Sequence, residues 1–143
     1  MTNDIEKQKP VIRTRVPKHL RLSTTSRLFG IRFPLIIEPV IYGITGRMAE
    51  AYSGGYWHFY SLDNGGFYMA PDIDQPFEVR CDNYFTGKLS ADALGITACL
   101  YTYSHISFSQ DEALGRRMAN HYHLLRSHIM EHAELGAILS AID

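Results

Sequence analysis

One stretch of the chain decides the fold: Tyr56-Trp57-His58-Phe59-Tyr60-Ser61-Leu62, then Asp63-Asn64-Gly65-Gly66, then Phe67-Tyr68-Met69-Ala70-Pro71. The two outer segments are rich in aromatic residues, which favour β-strands. Asn64-Gly65 lies between them, and Asn-Gly readily adopts the positive φ angles that a two-residue type I′ turn requires. The sequence therefore predicts a β-hairpin over residues 56–71.

Two further strands are predicted directly after this hairpin. Phe77, Val79 and Cys81 alternate with charged residues, which is the pattern of a strand with one face in water. A turn at residues 82–83 then leads into a fourth strand at 84–88. Because short turns join consecutive strands, we expect a small antiparallel β-meander of three to four strands.

Helices are predicted on both sides of this sheet, because apolar residues recur there at helical spacing. Good N-terminal caps precede two of the later helices: Ser90, and Ser109 in the capping box Ser109-x-x-Glu112. The predicted helices cover residues 22–30 and 39–52 before the sheet, and 91–108, 110–129 and 135–142 after it. Strands and helices do not alternate, so the fold class is α+β, a single domain with helices packed before and after the sheet.

Length and composition fit one globular domain. The chain has 143 residues, 45% of them hydrophobic and 20% charged, which excludes a disordered polar chain. Apolar runs such as Leu35-Ile36-Ile37 are far shorter than the roughly 20 residues that cross a bilayer. Asp4 and Glu6 stand where a secretory signal has its apolar core. We therefore expect a cytoplasmic protein that does not contact a membrane.

Charge is distributed unevenly along the chain. Residues 1–32 contain eight lysines and arginines against two acids, whereas residues 33–143 contain six against thirteen. We interpret residues 1–20 as a basic, partly flexible N-terminal arm and residues 21–143 as the folded domain. The arm is either a solvated tail or a nucleic-acid contact, and in the second case its candidate residues are Arg13, Arg15, Lys18 and Arg21.

The sequence contains no motif typical of a catalytic or metal centre. His128 and His132 are four residues apart, but a zinc site needs three or four convergent ligands, and no HExxH motif is present. Ser104 and His105 are neighbours, so on a helix they point about 100° apart and cannot form a dyad. His105 is expected to be a hydrogen-bonded core residue. We predict a protein that is not an enzyme and takes no cofactor.

Two longer segments resemble a known family. Residues 52–71, which include the hairpin, and Ala93–His105 are similar to the signature of the ArdB/KlcA antirestriction proteins. Arg15-Val16-Pro17 and the C-terminal Ala141-Ile142-Asp143 fit as well. The resemblance implies a protein encoded on mobile elements such as plasmids that inhibits type I restriction-modification systems and so protects incoming DNA. It implies no catalytic residue and no cofactor.

The charge count bears on how such inhibition would work. Double-stranded DNA has one negative charge per about 1.7 Å of its axis, whereas this chain has 15 acidic residues opposed by 14 basic ones. We therefore expect recognition of a protein surface, on a restriction enzyme subunit or on a host factor required for restriction, in preference to DNA mimicry. The alternative is a DNA-binding accessory protein that uses the basic arm and the aromatic hairpin. Candidate partner-binding residues, taken from the hairpin and the loop after it, are Tyr56, His58, Tyr60, Tyr68, Asp72 and Asp74.

Overall fold

A computed structural model describes residues 9–143, which form five helices and five strands. Two short helical turns complete the order, a 3₁₀ turn at Lys18–Leu20 and a π-helical turn at Phe33–Ile37. The α+β class is confirmed. In chain order the elements are β1 (Arg13–Arg15), α1 (Arg21–Phe29), α2 (Glu38–Met48), β2 (Trp57–Leu62), β3 (Phe67–Pro71), β4 (Phe77–Arg80), β5 (Thr86–Leu89), α3 (Ala91–Ile106), α4 (Glu112–Ile129) and α5 (Leu135–Ile142).

The strands are antiparallel, as expected, but they fall into two sheets instead of one continuous meander. β1, β2 and β3 form a sheet in that order, and β4 pairs only with β5. Helix α3 occupies the edge of β3 that β4 would have used. Its Gly95 lies so close to the strand that an added Cβ would be 2.3 Å from the carbonyl oxygen of Met69. The helix therefore ends the first sheet at β3.

The hairpin between β2 and β3 is confirmed, but the predicted type I′ turn is wrong. Gly65 has a φ of 94°, whereas Asn64 is not among the described non-glycine residues with positive φ. Gly65 N donates to Leu62 O at 3.0 Å and Leu62 N donates to Gly66 O at 2.9 Å. This is a type I turn followed by a glycine bulge. The Asn64 side chain instead donates to Leu124 O at 2.9 Å, which attaches the turn to α4.

One predicted helix cap is confirmed and another is wrong. Ser90 Oγ accepts from Ala93 N at 3.1 Å at the start of α3. At the start of α4 the cap is Asp111, not Ser109, and its carboxylate accepts from Leu114 N at 3.2 Å. Arg32 also binds the Asp111 carboxylate, at 2.8 Å. A contact from a distant part of the chain thus stabilises the cap that the local motif did not indicate.

Aromatic rings fill the core beneath the first sheet. Phe33, Phe59 and Phe67 pack edge to face with centroids 5.5–5.8 Å apart, and Phe29 stacks against Phe33 at 5.5 Å. The histidine in this core is His121, which is only 4% exposed and lies 4.4 Å from the Phe29 ring centroid. Burial lowers the pKa of His121 to about 4. The ring is therefore neutral at physiological pH.

The expectation that His105 is a core residue is wrong. Its side chain is exposed although it falls on the apolar repeat of α3. The predicted helix over residues 91–108 is also too long, because α3 ends at Ile106 and Phe108 beyond it is 86% exposed. Helical spacing of apolar residues does not identify an inward face in α3, because most of this helix is buried on all sides.

Part of the predicted basic arm belongs to the first sheet. Arg13–Arg15 pairs with β2, with Arg15 opposite Tyr60. On either side of β1, Asp63 N donates to Ile12 O at 2.9 Å and Val16 N donates to Phe59 O at 2.8 Å. The predicted flexibility of residues 1–8 lies outside the described residues.

Within residues 9–143, no single helix is long and apolar enough to cross a membrane. The segments Lys18–Phe29 and Phe33–Met48 reach the necessary length and composition only as a pair, and they are bent by 95° relative to each other.

Candidate interaction surface

Two of the candidate side chains belong to β2 and a third directly precedes it, and all three lie on one side of the sheet. Tyr56, His58 and Tyr60 are two residues apart in an extended backbone, and successive side chains of a strand point to opposite faces. Their ring centroids follow one another at 5.5 and 6.2 Å. Tyr60 also stacks on Tyr68 of β3 at 4.9 Å. The strand thus presents a row of aromatic rings on the side away from the phenylalanine core.

The basic residues of the predicted arm lie on this row of rings. The guanidinium carbon of Arg13 is 4.3 Å from the Tyr60 centroid, and that of Arg15 is 5.8 Å from the same ring. Tyr56 is approached by the Lys18 ammonium at 5.0 Å and by the Arg21 guanidinium at 4.7 Å. These distances fall within the range of cation–π attraction. We call this region the cation–aromatic surface: Arg13, Arg15, Lys18, Arg21, Tyr56, His58 and Tyr60.

Arg21 holds the start of α1 against β2. Its guanidinium donates to Tyr56 OH at 2.8 Å and to Trp57 O at 2.6 Å. It also lies 4.2 Å from the Phe59 centroid. Nε of Arg21 is buried without a hydrogen-bond partner among the described residues. These contacts make Arg21 part of the support of the surface, since both hydrogen bonds of its Nη2 go to groups within the chain.

Asp92, near the start of α3, is the hub of a polar cluster beneath one end of the cation–aromatic surface. Its Oδ1 accepts from Arg13 Nη1 at 2.6 Å and from Tyr68 OH at 2.7 Å, and its Oδ2 is 2.8 Å from His132 Nε2. Burial alone would raise the pKa of Asp92. The hydrogen bonds from His132 and Tyr68 and the charge of Arg13 outweigh burial and lower the pKa of Asp92 below its ordinary value.

The second nitrogen of His132 fixes the tautomer of that ring. Nδ1 accepts a hydrogen bond from the backbone N–H of Glu134 at 2.9 Å, so in the neutral ring the proton is on Nε2 and is donated to Asp92. The Glu134 carboxylate in turn accepts from Ser90 N at 2.8 Å. The cluster therefore ties β1 and β3 to the start of α3 and to the connection between α4 and α5.

The structure places the candidate partner-binding residues at very different depths. Tyr56 is 42% exposed, whereas Tyr60 and Tyr68 are buried. Tyr68 thus supports its neighbours and does not face a partner. His58 lies 3.0 Å from the exposed carboxylate of Asp72. Asp74 is exposed and forms no hydrogen bond or ion pair with any of residues 9–143.

The described residues contain no arrangement typical of a metal centre or of a reactive thiol. Within residues 9–143, no group of three or more histidines, cysteines or carboxylates lies close enough to hold a metal ion. His128 packs instead on the Tyr68 ring and contacts Val11 O at 2.7 Å through Nδ1. Cys81 and Cys99 are free and buried, and burial raises the pKa of Cys99 to about 12, so its thiol stays protonated.

Comparisons with known proteins identify relatives across nearly the whole chain. The family described as "Antirestriction protein" matches residues 50–143. The chain is 40% identical to the antirestriction protein KlcA of Escherichia coli over 98% of its own length and 99% of that of KlcA. It is also 40% identical to the uncharacterised protein YafX of Escherichia coli K12, over 91% of this chain and 86% of YafX.

A solved structure shares the entire fold. It superposes with a TM-score of 0.88 at 36% identity and covers 100% of both chains. It belongs to the KlcA and ArdB proteins, which show a novel fold and antirestriction activity against type I DNA restriction systems in vivo but not in vitro. The full coverage, the similarity of fold and the family match lead to one assignment: this chain belongs to the antirestriction protein family.

Proposed function

We propose that this chain protects incoming DNA, such as that of a plasmid or another mobile element, by inhibiting type I restriction through recognition of a protein surface and not through DNA mimicry. The family supports the target system. The distribution of charge supports the mode of action. The observation that carries the proposal is that the charged surface built around β1 and β2 is positive, whereas a DNA mimic needs an uninterrupted negative one.

The carboxylates support the same conclusion, because several are paired with basic groups of the same chain. Asp92 pairs with Arg13, Asp111 with Arg32 and Glu112 with Arg116. Asp72 lies beside His58. These carboxylates sit on different helices and loops, so they do not reproduce a regular row of phosphates. A surface that combines a defined shape with charges of both signs is suited to binding another protein.

The partner we propose includes a component that only the cell supplies. KlcA and ArdB show antirestriction activity in vivo but not in vitro. An inhibitor that simply occupied the DNA-binding site of the purified enzyme would act in both settings. We therefore infer that this chain contacts either a host factor required for restriction or a state of the restriction enzyme that exists only during restriction in cells.

The cation–aromatic surface favours a second candidate function, a DNA-binding accessory protein. Its four basic side chains would release counterions from a phosphate backbone, but Arg13 is already paired with Asp92 and Arg21 is bound to Tyr56 and Trp57 O. Tyr60 is buried beneath Arg13, so its ring is not free to stack on a base. Arg15 and Lys18 are exposed and remain available.

Plating of unmodified phage tests the proposed function. Cells with a type I restriction system are compared with cells that lack one, each with and without expression of this chain. We expect expression to restore plating only in the restricting cells. Equal plating with and without expression in the restricting cells would contradict the proposal.

Binding to labelled duplex DNA separates the two candidates. If all four basic residues neutralised phosphates, affinity would fall roughly 150-fold between about 50 and 200 mM salt. For the proposed function we expect weak duplex binding that an Arg15→Gln/Lys18→Gln variant leaves unchanged, so that any effect of this variant on protection is not accompanied by a loss of DNA binding. Arg15 and Lys18 are substituted, and the arm is not deleted, because deletion would remove β1 from the sheet. Tight, steeply salt-dependent binding that this variant loses together with protection would favour the accessory protein.

A further inference from the structure

The turn between β4 and β5 exposes an aromatic side chain in a strained backbone conformation. Tyr84 is 94% exposed, the highest value among the exposed large hydrophobic side chains. Its φ is 70°, and no other non-glycine residue in the described part of the chain has a positive φ. A bulky residue rarely adopts this conformation, and such strain concentrates at functional sites.

A comparison of the two hairpins of the molecule shows that glycine would adopt the backbone conformation of residue 84 with less strain. Tyr84 N donates to Cys81 O at 3.0 Å and Cys81 N donates to Phe85 O at 2.9 Å. The turn between β2 and β3 has the same pattern of hydrogen bonds, and there Gly65 occupies the position of positive φ. Folding alone therefore does not explain a tyrosine at residue 84.

Hydrogen bonds of Asn83 and Phe85 fix the backbone on either side of Tyr84. Asn83 Oδ1 accepts from Phe85 N at 3.0 Å. Its amide nitrogen lies 3.0–3.1 Å from the carbonyl oxygens of Ser140, Ala141 and Asp143 at the end of α5. Because the backbone on both sides of Tyr84 is fixed, little backbone entropy remains to be lost on binding, and a tyrosine side chain has few rotatable bonds to order.

We propose that Tyr84 is an anchor residue that inserts into an apolar pocket, rimmed by basic groups, on the protein partner. This inference rests on the proposed function, since it requires that the partner is a protein. Tyrosine is enriched among the residues that dominate interface energies. Asp82 lies in the turn, and Asp143 lies beside it through the contact of its main-chain oxygen with Asn83. Both residues are exposed, and their negative charge favours a basic rim and disfavours the phosphates of a nucleic acid.

Substitution by glycine separates the ring from the fold. Tyr84→Gly relieves the strained φ and removes a side chain that contacts water, so its thermal midpoint should be no lower than that of the wild type. In the phage-plating assay we expect Tyr84→Gly to lose about tenfold or more of the protection. Tyr84→Phe keeps the ring and should retain most of it.

Phe108 provides a matched control, because it is 86% exposed and lies in the connection between α3 and α4. Phe108→Ala should protect as the wild type does. If the wild type itself gives no protection, the proposed function fails. If the wild type protects and Tyr84→Gly protects equally, only the anchor inference is overturned. A lower thermal midpoint for Tyr84→Gly, or duplex DNA binding that only the tyrosine-containing protein shows, would also overturn it.

Discussion

His121 is a neutral base enclosed by aromatic rings, and it makes stability depend on pH. Its pKa is about 4 in the folded chain against 6.5 for an ordinary histidine. Between these values the unfolded state binds more protons, so the free energy of unfolding falls as the pH falls. We expect a loss of about 3 kcal/mol from pH 6.5 to pH 4, measured by urea denaturation across that range.

A His121→Gln variant is the control for this pH dependence. The amide does not titrate, so the loss of stability between pH 6.5 and pH 4 should be much smaller than in the wild type. Asp92 has a lowered pKa and contributes stability that is lost only below its ordinary value of 3.8. A wild-type free energy of unfolding that stays level from pH 6.5 to pH 4 would show that His121 is not buried as described.

The Asp92 carboxylate connects α3 to three other segments, through Arg13 of β1, Tyr68 of β3 and His132 between α4 and α5. Asp92→Asn removes the charge that Arg13 and Tyr68 share and places an amide where a carboxylate accepted three hydrogen bonds. We expect the free energy of unfolding to fall by about 1–3 kcal/mol. The control Asp74→Asn changes an exposed carboxylate without a partner in residues 9–143 and should stay within about 0.5 kcal/mol. Equal values for the two variants would refute the role of Asp92.

Helix α3 packs on β3 at a distance that only glycine permits. An added Cβ on Gly95 would lie 2.3 Å from Met69 O and 2.5 Å from Ala70 Cα, so Gly95→Ala must displace the helix. We expect it to lower the free energy of unfolding by roughly 1–3 kcal/mol or more. Gly43 lies on an exposed part of α2 with nothing within 4 Å, and Gly43→Ala should raise stability by roughly 0.5–1 kcal/mol. Thermal denaturation of both variants checks this, and similar effects on both would refute the close packing.

Among the helices and strands, the sequence correctly predicted the features that are determined by residues close together in the chain. The hairpin over residues 56–71 and the Ser90 cap follow from local preferences, and both are confirmed. The predicted cap of α4, Ser109, is wrong: Asp111 caps the helix, and Arg32, distant in sequence, also binds its carboxylate. The single meander was wrong because α3 occupies the edge of β3. Local patterns do not report such contacts between distant segments.

The candidate site shows the same limit at the scale of the whole molecule. In the sequence, the basic arm and the aromatic hairpin are separate segments: the hairpin supplied candidates for both functions, and the arm supplied candidates only for DNA binding. In the folded chain Arg13 and Tyr60 touch, so the two sets form one surface. Asp92 and His132 complete its support although they are 40 residues apart in sequence. No spacing motif links them, and neither was predicted as part of the site.

The central claim is that protection does not depend on negative charge arranged like DNA. Glu50, Glu78 and Glu131 are exposed, and their carboxylates form no hydrogen bond or ion pair with the described residues. Changing all three to glutamine shifts the formal net charge from −1 to +2, while the fold and the surfaces around Tyr56 and Tyr84 are left intact. The decisive measurement is phage plating on restricting cells that express this triple variant. The account predicts protection equal to that of the wild type, and protection that declines with each carboxylate removed would contradict it.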